Sequence, residues 1–111
     1  MPIPIDLPEI PGDPAGMRAL AAALRTDAAS TALIAADVAG RFDGLEFYGP
    51  AADRIGADVT SSSRACGDVA DQLLLTAALL ERSASEVEAA QRLRERKLEE
   101  LRRLAVPAVP R

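Results

Sequence analysis

The sequence predicts an all-α protein, an antiparallel two-helix hairpin with a long second helix, assembling as a four-helix bundle. Two observations carry this. Five of the eight prolines stand at positions 2, 4, 8, 11 and 14, one at 50 and two at 107 and 110, which leaves two long windows without any. Proline inside a helix removes a hydrogen bond and clashes with the preceding turn, so each window permits a helix. Within both windows apolar residues recur at steps of three and four, and the β-branched clusters never alternate with period two.

The elements follow in order. Residues 1–12 read as a proline-rich, extended arm of polyproline type. The opening MPIPIDLPEIPGDP has no basic region and no apolar run before its prolines, so it is not read as a general secretory signal peptide. Asp13 is a good N-cap with Pro14 at the first helical position, starting a helix over about 14–42. Gly44 is expected to close it in the left-handed conformation. A turn over 43–49 leads to Gly49 and Pro50, which begin a helix over about 50–104. The helical hairpin thus spans 13–104, and 105–111 form a tail.

In the first helix Met17, Leu20, Leu24, Thr31, Ile34, Ala35, Val38 and Phe42 share one face. In the second, Ile55, Val59, Ser62, Cys66, Val69, Leu73, Thr76 and Leu80 alternate steps of four and three, the spacing of a coiled-coil seam. An antiparallel register then sets Val38 against Ile55, Ile34 against Val59, Asp27 against Cys66, Leu24 against Val69 and Leu20 against Leu73. Leu20, Leu24, Ile34, Val38, Ile55, Val59, Val69 and Leu73 are expected to hold the hairpin. Asp27 reads as a carboxylate at the seam margin or as a polar register device.

In this register the first helix ends opposite Leu80, so residues 81–104 extend without a partner from the same chain, over about 35 Å. Just before them Val69, Leu73, Leu74, Leu75, Leu79 and Leu80 point in nearly every direction, and a helix apolar all round is buried all round. That stretch is too short and too interrupted to span a bilayer, and no transmembrane segment is expected. Leu74, Leu75, Leu79 and Leu80, with the stripe of Leu93, Leu98 and Leu101, are therefore the expected partner interface.

Composition narrows the function. The chain has 111 residues, 23 of them alanine, and only Phe42, Phe47 and Tyr48 are aromatic. Alanine contributes little apolar area, so the core is thin and a partner is expected. With no histidine and one cysteine, Cys66, there is no Cys/His zinc site, no Ser-His-Asp relay and no internal disulfide. No glycine-rich phosphate loop is present either. The expectation is no enzyme, no cofactor and no metal. Net charge is −4, but residues 86–111 carry seven bases and five acids. The bases of RLRERKLEELRR (92–103) alternate with acids, and Glu88 to Arg92 and Glu99 to Arg103 have helix-favouring spacing. A solvated helical arm is favoured there over nucleic-acid binding, which is unlike the overall charge.

Between the helices stands Phe47-Tyr48-Gly49-Pro50-Ala51-Ala52-Asp53-Arg54. This run, with Gly12-Asp13-Pro14-Ala15-Gly16-Met17-Arg18-Ala19-Leu20 upstream, resembles the WXG (ESAT-like) family of type VII secretion substrates. In that family a W-x-G turn joins two antiparallel helices, and actinobacterial members often continue with G-P-A-A-D-R. Phe47 stands at the tryptophan position, Tyr48 at x and Gly49 at the glycine, and the likeness covers about residues 12–85. It implies a recognition turn at Phe47, Tyr48 and Gly49 and a secreted protein leaving by a non-Sec route, cytoplasmic before export. It further implies a homodimer or a second WXG-like or toxin subunit as partner, with a secretion ATPase reading the turn. The family's Y-x-x-x-D/E element is absent, since Ala52 follows Tyr48 by four positions. Export would then borrow that element from a partner, or the chain escorts a larger substrate. The alternative is a non-exported cytosolic coiled-coil adaptor that self-associates through the second helix.

The aromatics also have a reason independent of the family. Phe42 and Phe47 are placed to cover the open end of the bundle, over Val38 and Ile55, and Tyr48 is expected to be the most exposed.

Overall fold

A computed structural model describes residues 7–105, which leaves the first six residues of the arm and most of the tail outside the described part. It is all helical. α1 runs Pro14–Asp43 and α2 runs Pro50–Ala105, packed as an antiparallel hairpin. Asp13 caps α1, its Oδ1 accepting from the Gly16 amide at 3.1 Å, and Pro14 occupies the first turn, where a missing amide costs nothing. The α1 C-terminus differs from expectation. Gly44 is right-handed, with φ −79°, and its amide still bonds Gly40 O at 3.2 Å. The left-handed residue is instead Gly49, φ +106°, immediately before Pro50. There the chain reverses, and the Gly49 carbonyl accepts the Asp53 amide at 3.0 Å as the first bond of α2.

The molecule is a rod of 97 × 18 × 12 Å, one helix layer thick. No third element covers either broad face, and among the described residues no large side chain is fully buried. What is buried is alanine: Ala21 and Ala28 from α1, and Ala52, Ala70, Ala77 and Ala84 from α2. Ala21 and Ala28 are one heptad apart, as are Ala70, Ala77 and Ala84. A small residue at every seventh position lets two helices approach toward the short end of the usual 8–10 Å interaxial range. Between these layers lie the half-buried Met17, Leu24 and Thr31 on α1 and Val59, Cys66, Leu73 and Leu80 on α2.

This is a correction to the hairpin register and to its core. Gly56, paired by the sequence pattern with Asp37, lies under Phe42, five positions on. Of the residues expected to hold the hairpin, Leu24, Val59 and Leu73 do so, whereas Leu20, Ile34, Val38, Ile55 and Val69 are 44–63% exposed. The apolar stripe of each helix is wider than one seam. The pair turns its smallest side chains inward and gains close backbone approach, leaving the larger ones on the flank. Asp27 is exposed on that same flank rather than set against Cys66.

The shift also lengthens the contact. α1 now begins near Ala84, and the arm continues along α2 beyond it. Arg94 donates to Pro8 O at 3.0 Å and Leu7 O at 3.1 Å, and Gln91 Nε2 to Ile10 O at 3.1 Å and Gly12 O at 3.2 Å. Gly12, φ +133°, is pressed on Val87, where a Cβ would approach the side chain to 2.8 Å. The stretch from 81 to about 97 is therefore not an unpartnered overhang. It carries the arm, because two long side chains satisfy carbonyls that an extended proline segment cannot pair within itself.

Candidate docking faces and turn

The two helices meet along two edges of opposite character. On one, Arg18 bonds Glu88 at 2.9 Å and Arg25 bonds Glu81 at 2.6 Å, each pair one heptad from the other. Glu88 also takes Arg92 at 2.8 Å. The hydrogen bond from Arg18 holds the Glu88 carboxyl below its ordinary range, with partial desolvation opposing it, and Glu88 in turn raises Arg18. These pairs fix the register more than they stabilise, since the side chains remain partly solvated.

The other edge is apolar. Leu20, Ile34 and Val38 on α1 and Ile55 and Val69 on α2 flank the seam there. Midway, Ile34, Val38, Val59, Ser62 and Cys66 line a groove of about 120 Å³. Cys66 is a half-buried wall of that groove.

At the turn, Phe42 rests against Gly56, and Phe47 joins it around an open cleft of about 700 Å³ with Ala52 and Val59, rimmed by Asp43, Asp53 and Arg64. Val38 and Ile55, the residues the rings were expected to cover, stay exposed, because the register carries Phe42 past them to Gly56. Phe47 is 44% exposed and Tyr48 87%, the highest of any large apolar or aromatic side chain described. Tyr48 thus projects at the loop tip beside Gly49, while Phe47 is shared between the tip and the cleft.

The expected leucine interface divides. Leu74, Leu75, Leu79, Leu93 and Leu101 are exposed, while Leu80 is half-buried in the hairpin seam and Leu98 is half-buried farther along α2. Leu93 lines a shallow apolar groove together with Leu7, Pro8 and Ile10 of the arm. The mixed-charge end is laced along the helix, as Glu99 bonds Arg103 at 3.1 Å. α1 has the length and mean hydropathy, 1.2, of a membrane-crossing helix by composition alone. In the hairpin its Arg18 and Arg25 are engaged by α2. No cluster suited to a metal ion occurs among the described residues.

What sequence reasoning missed was the alanine heptad at 70, 77 and 84 and its counterpart at 21 and 28. The signal was present as a strict seven-residue spacing, overshadowed by larger side chains one position away.

These features define a class, a single-layer helical hairpin with one self-satisfied ionic edge and one open apolar edge. Compared with family models, curated proteins and solved structures, the chain matches none.

Proposed function

We propose that this chain is a non-catalytic docking subunit of the WXG kind, a type VII secretion substrate or the targeting partner of one. The observation that supports it is the turn. A positive-φ Gly49 directly ahead of Pro50 closes the end of the hairpin, with Tyr48 87% exposed beside it and Phe47 half-exposed at the edge of the cleft it shares with Phe42. Aromatic rings left exposed on the loop that joins two helices suit recognition by another protein, since aromatic side chains are enriched among the residues that dominate binding energy. The secretion ATPase is the proposed reader of that tip. The chain would bring no Y-x-x-x-D/E element of its own and would travel with a partner that has one, a second WXG-like subunit or a toxin. The route is non-Sec, from a cytoplasmic pool.

The test is export from a strain with an intact type VII apparatus. Replacing Phe47 and Tyr48 with alanine, which leaves the positive-φ Gly49 in place, is expected to abolish appearance in the medium while the cytoplasmic level and helicity stay unchanged. Equal extracellular levels of the variant and the parent would overturn the reading. A parent that stays wholly inside the cell, with its partner present, would favour the adaptor that self-associates through α2.

A further inference from the structure

The seam face of α2 does not stop where α1 begins. Ala84, Val87, Gln91, Arg94 and Leu98 continue it in steps of three and four, each buried or half-buried. Gln91 and Arg94 set long polar donors where the seam nearer the turn has alanine and leucine. A helix laid over them would leave those donors unmet, because its own carbonyls are bonded within it. An extended, proline-rich segment has carbonyls to offer, since proline has no amide and a polyproline backbone makes no internal bonds. This face is therefore suited to an extended backbone.

The arm shows how such a segment is read. Gln91 donates to the carbonyls of Ile10 and Gly12, and Arg94 to those of Leu7 and Pro8. All four bonds go to the main chain, so they select an extended conformation rather than a sequence. Leu7 and Ile10 are the half-buried side chains among residues 7–12, three residues or one polyproline turn apart.

As an occupant the arm is ill matched in two places. Glu9 and Glu95 line one hollow of about 210 Å³ with Arg94. Neither carboxylate has an ion pair among the described residues, and Arg94 is already engaged by the Leu7 and Pro8 carbonyls. Beside it, the arm leaves an apolar space of about 250 Å³ against Ala90 and Leu93, and Leu93 stays 49% exposed. A basic residue in place of Glu9 would meet Glu95 instead of repelling it, and a larger apolar side chain would fill the space.

We propose that the Val87–Lys97 face of α2 is a receiving groove for an extended, proline-rich segment of a partner protein, which carries a base where the arm carries Glu9. The arm is the occupant in cis and masks the groove until that segment displaces it. This surface lies apart from the turn, and its binding is measured with the purified chain and no secretion apparatus.

Two full-chain variants open the groove. Gly12→Val strains a φ of +133° and drives a side chain into Val87, and Leu7→Asp with Ile10→Asp removes the apolar anchors. Loss of amide order at Glu9 confirms release. The probe is a labelled, end-capped peptide of residues 7–13, made with Glu9 and with lysine in its place, followed by fluorescence anisotropy. Both opened chains are expected to bind the lysine peptide at least 10-fold more tightly than the parent does, because the parent's arm competes at an effective concentration on the order of millimolar. In an opened chain the lysine peptide should bind about 3-fold more tightly than the glutamate peptide, and Glu95→Gln should erase that preference. Gln91→Ala with Arg94→Ala should weaken both peptides roughly 10-fold. An arm that stays ordered in both variants, or opened chains that bind neither peptide, would overturn the proposal. So would binding that survives loss of Gln91 and Arg94, or a lysine peptide no tighter than the glutamate one. A peptide that binds parent and opened chains equally would place its site elsewhere on the rod and overturn it too.

Discussion

Phe42 lies on Gly56 so closely that a Cβ at 56 would stand 3.2 Å from ring atom Cε1 and 3.4 Å from Cζ. This contact ends the alanine seam at the turn, with the largest side chain of α1 against the smallest of α2. Two effects compete at Gly56. Alanine there gains about 1 kcal/mol of helix propensity over glycine, and the ring must retreat by a few tenths of an ångström. Gly56→Ala is expected to stabilise the Phe42→Ala variant by about that amount and the parent by clearly less, a coupling of about 0.5–1 kcal/mol in a double-mutant cycle. Urea melts at one fixed protein concentration measure it, and simple additivity would show that the ring does not depend on that glycine.

The seam alanines make a sharper prediction. Ala77 has no exposed surface and Ala78 beside it is exposed. Ala77→Leu forces the helices apart along neighbouring layers and should cost about 1–3 kcal/mol, whereas Ala78→Leu should fall within about 0.5 kcal/mol of the parent. Comparing their thermal midpoints decides whether the backbones approach as closely as the alanine heptad implies.

The helices themselves were legible because their determinants are local. Pro14 and Pro50 cannot sit deeper in a helix than its first turn, and Asp13 and Gly49 supply the caps. The register was not, because hydrophobic periodicity weights large side chains, and here the close contact is made by small ones. Val69 beside Ala70, and Thr76 beside Ala77, differ by one position and about 100° of rotation, enough to turn a seam into a flank. The arm was equally hidden. Nothing in the spacing of Gln91 and Arg94 announces that they will bind the carbonyls of Leu7, Pro8, Ile10 and Gly12. The projection of Tyr48 was readable, since a residue beside a glycine at a tight reversal has nothing to pack against.

The arm contact is testable by itself. Arg94→Ala together with Gln91→Ala removes all four bonds to the arm and leaves the α1 and α2 seam intact. Amide order parameters at Glu9 and Ile10 are expected to fall from rigid values toward about 0.6 or lower, while those of α1 are unchanged. Unaltered order at Glu9 and Ile10 would mean that the packing of Gly12 on Val87 holds the arm alone.

Acid should loosen the ionic edge. Glu88 has a folded pKa depressed by Arg18, so its contribution is present above the unfolded carboxylate value and is lost as pH falls through the lower, folded one. The parent should therefore lose more stability between neutral pH and pH 3 than Glu88→Gln does. The difference is expected to be small because the pair is solvated, and to shrink further at high salt. Parallel pH titrations of the thermal midpoint at two salt concentrations test both points.

The turn allows recognition and folding to be separated. Tyr48 is the only tyrosine of a chain without tryptophan, and it is 87% exposed, so its emission reports the loop tip alone. Tyr48→Ala removes almost no packed surface and is expected to leave stability within about 0.5 kcal/mol of the parent. A soluble quencher should reach Tyr48 nearly as well in the folded chain as in urea. If a secretion ATPase reads this tip, adding its recognition domain should shield the ring from quencher, and Tyr48→Ala should weaken that binding without moving the melt. A ring shielded already in the free chain would instead place Tyr48 in a structural role, in the interface between two copies or over the cleft of Phe42 and Phe47.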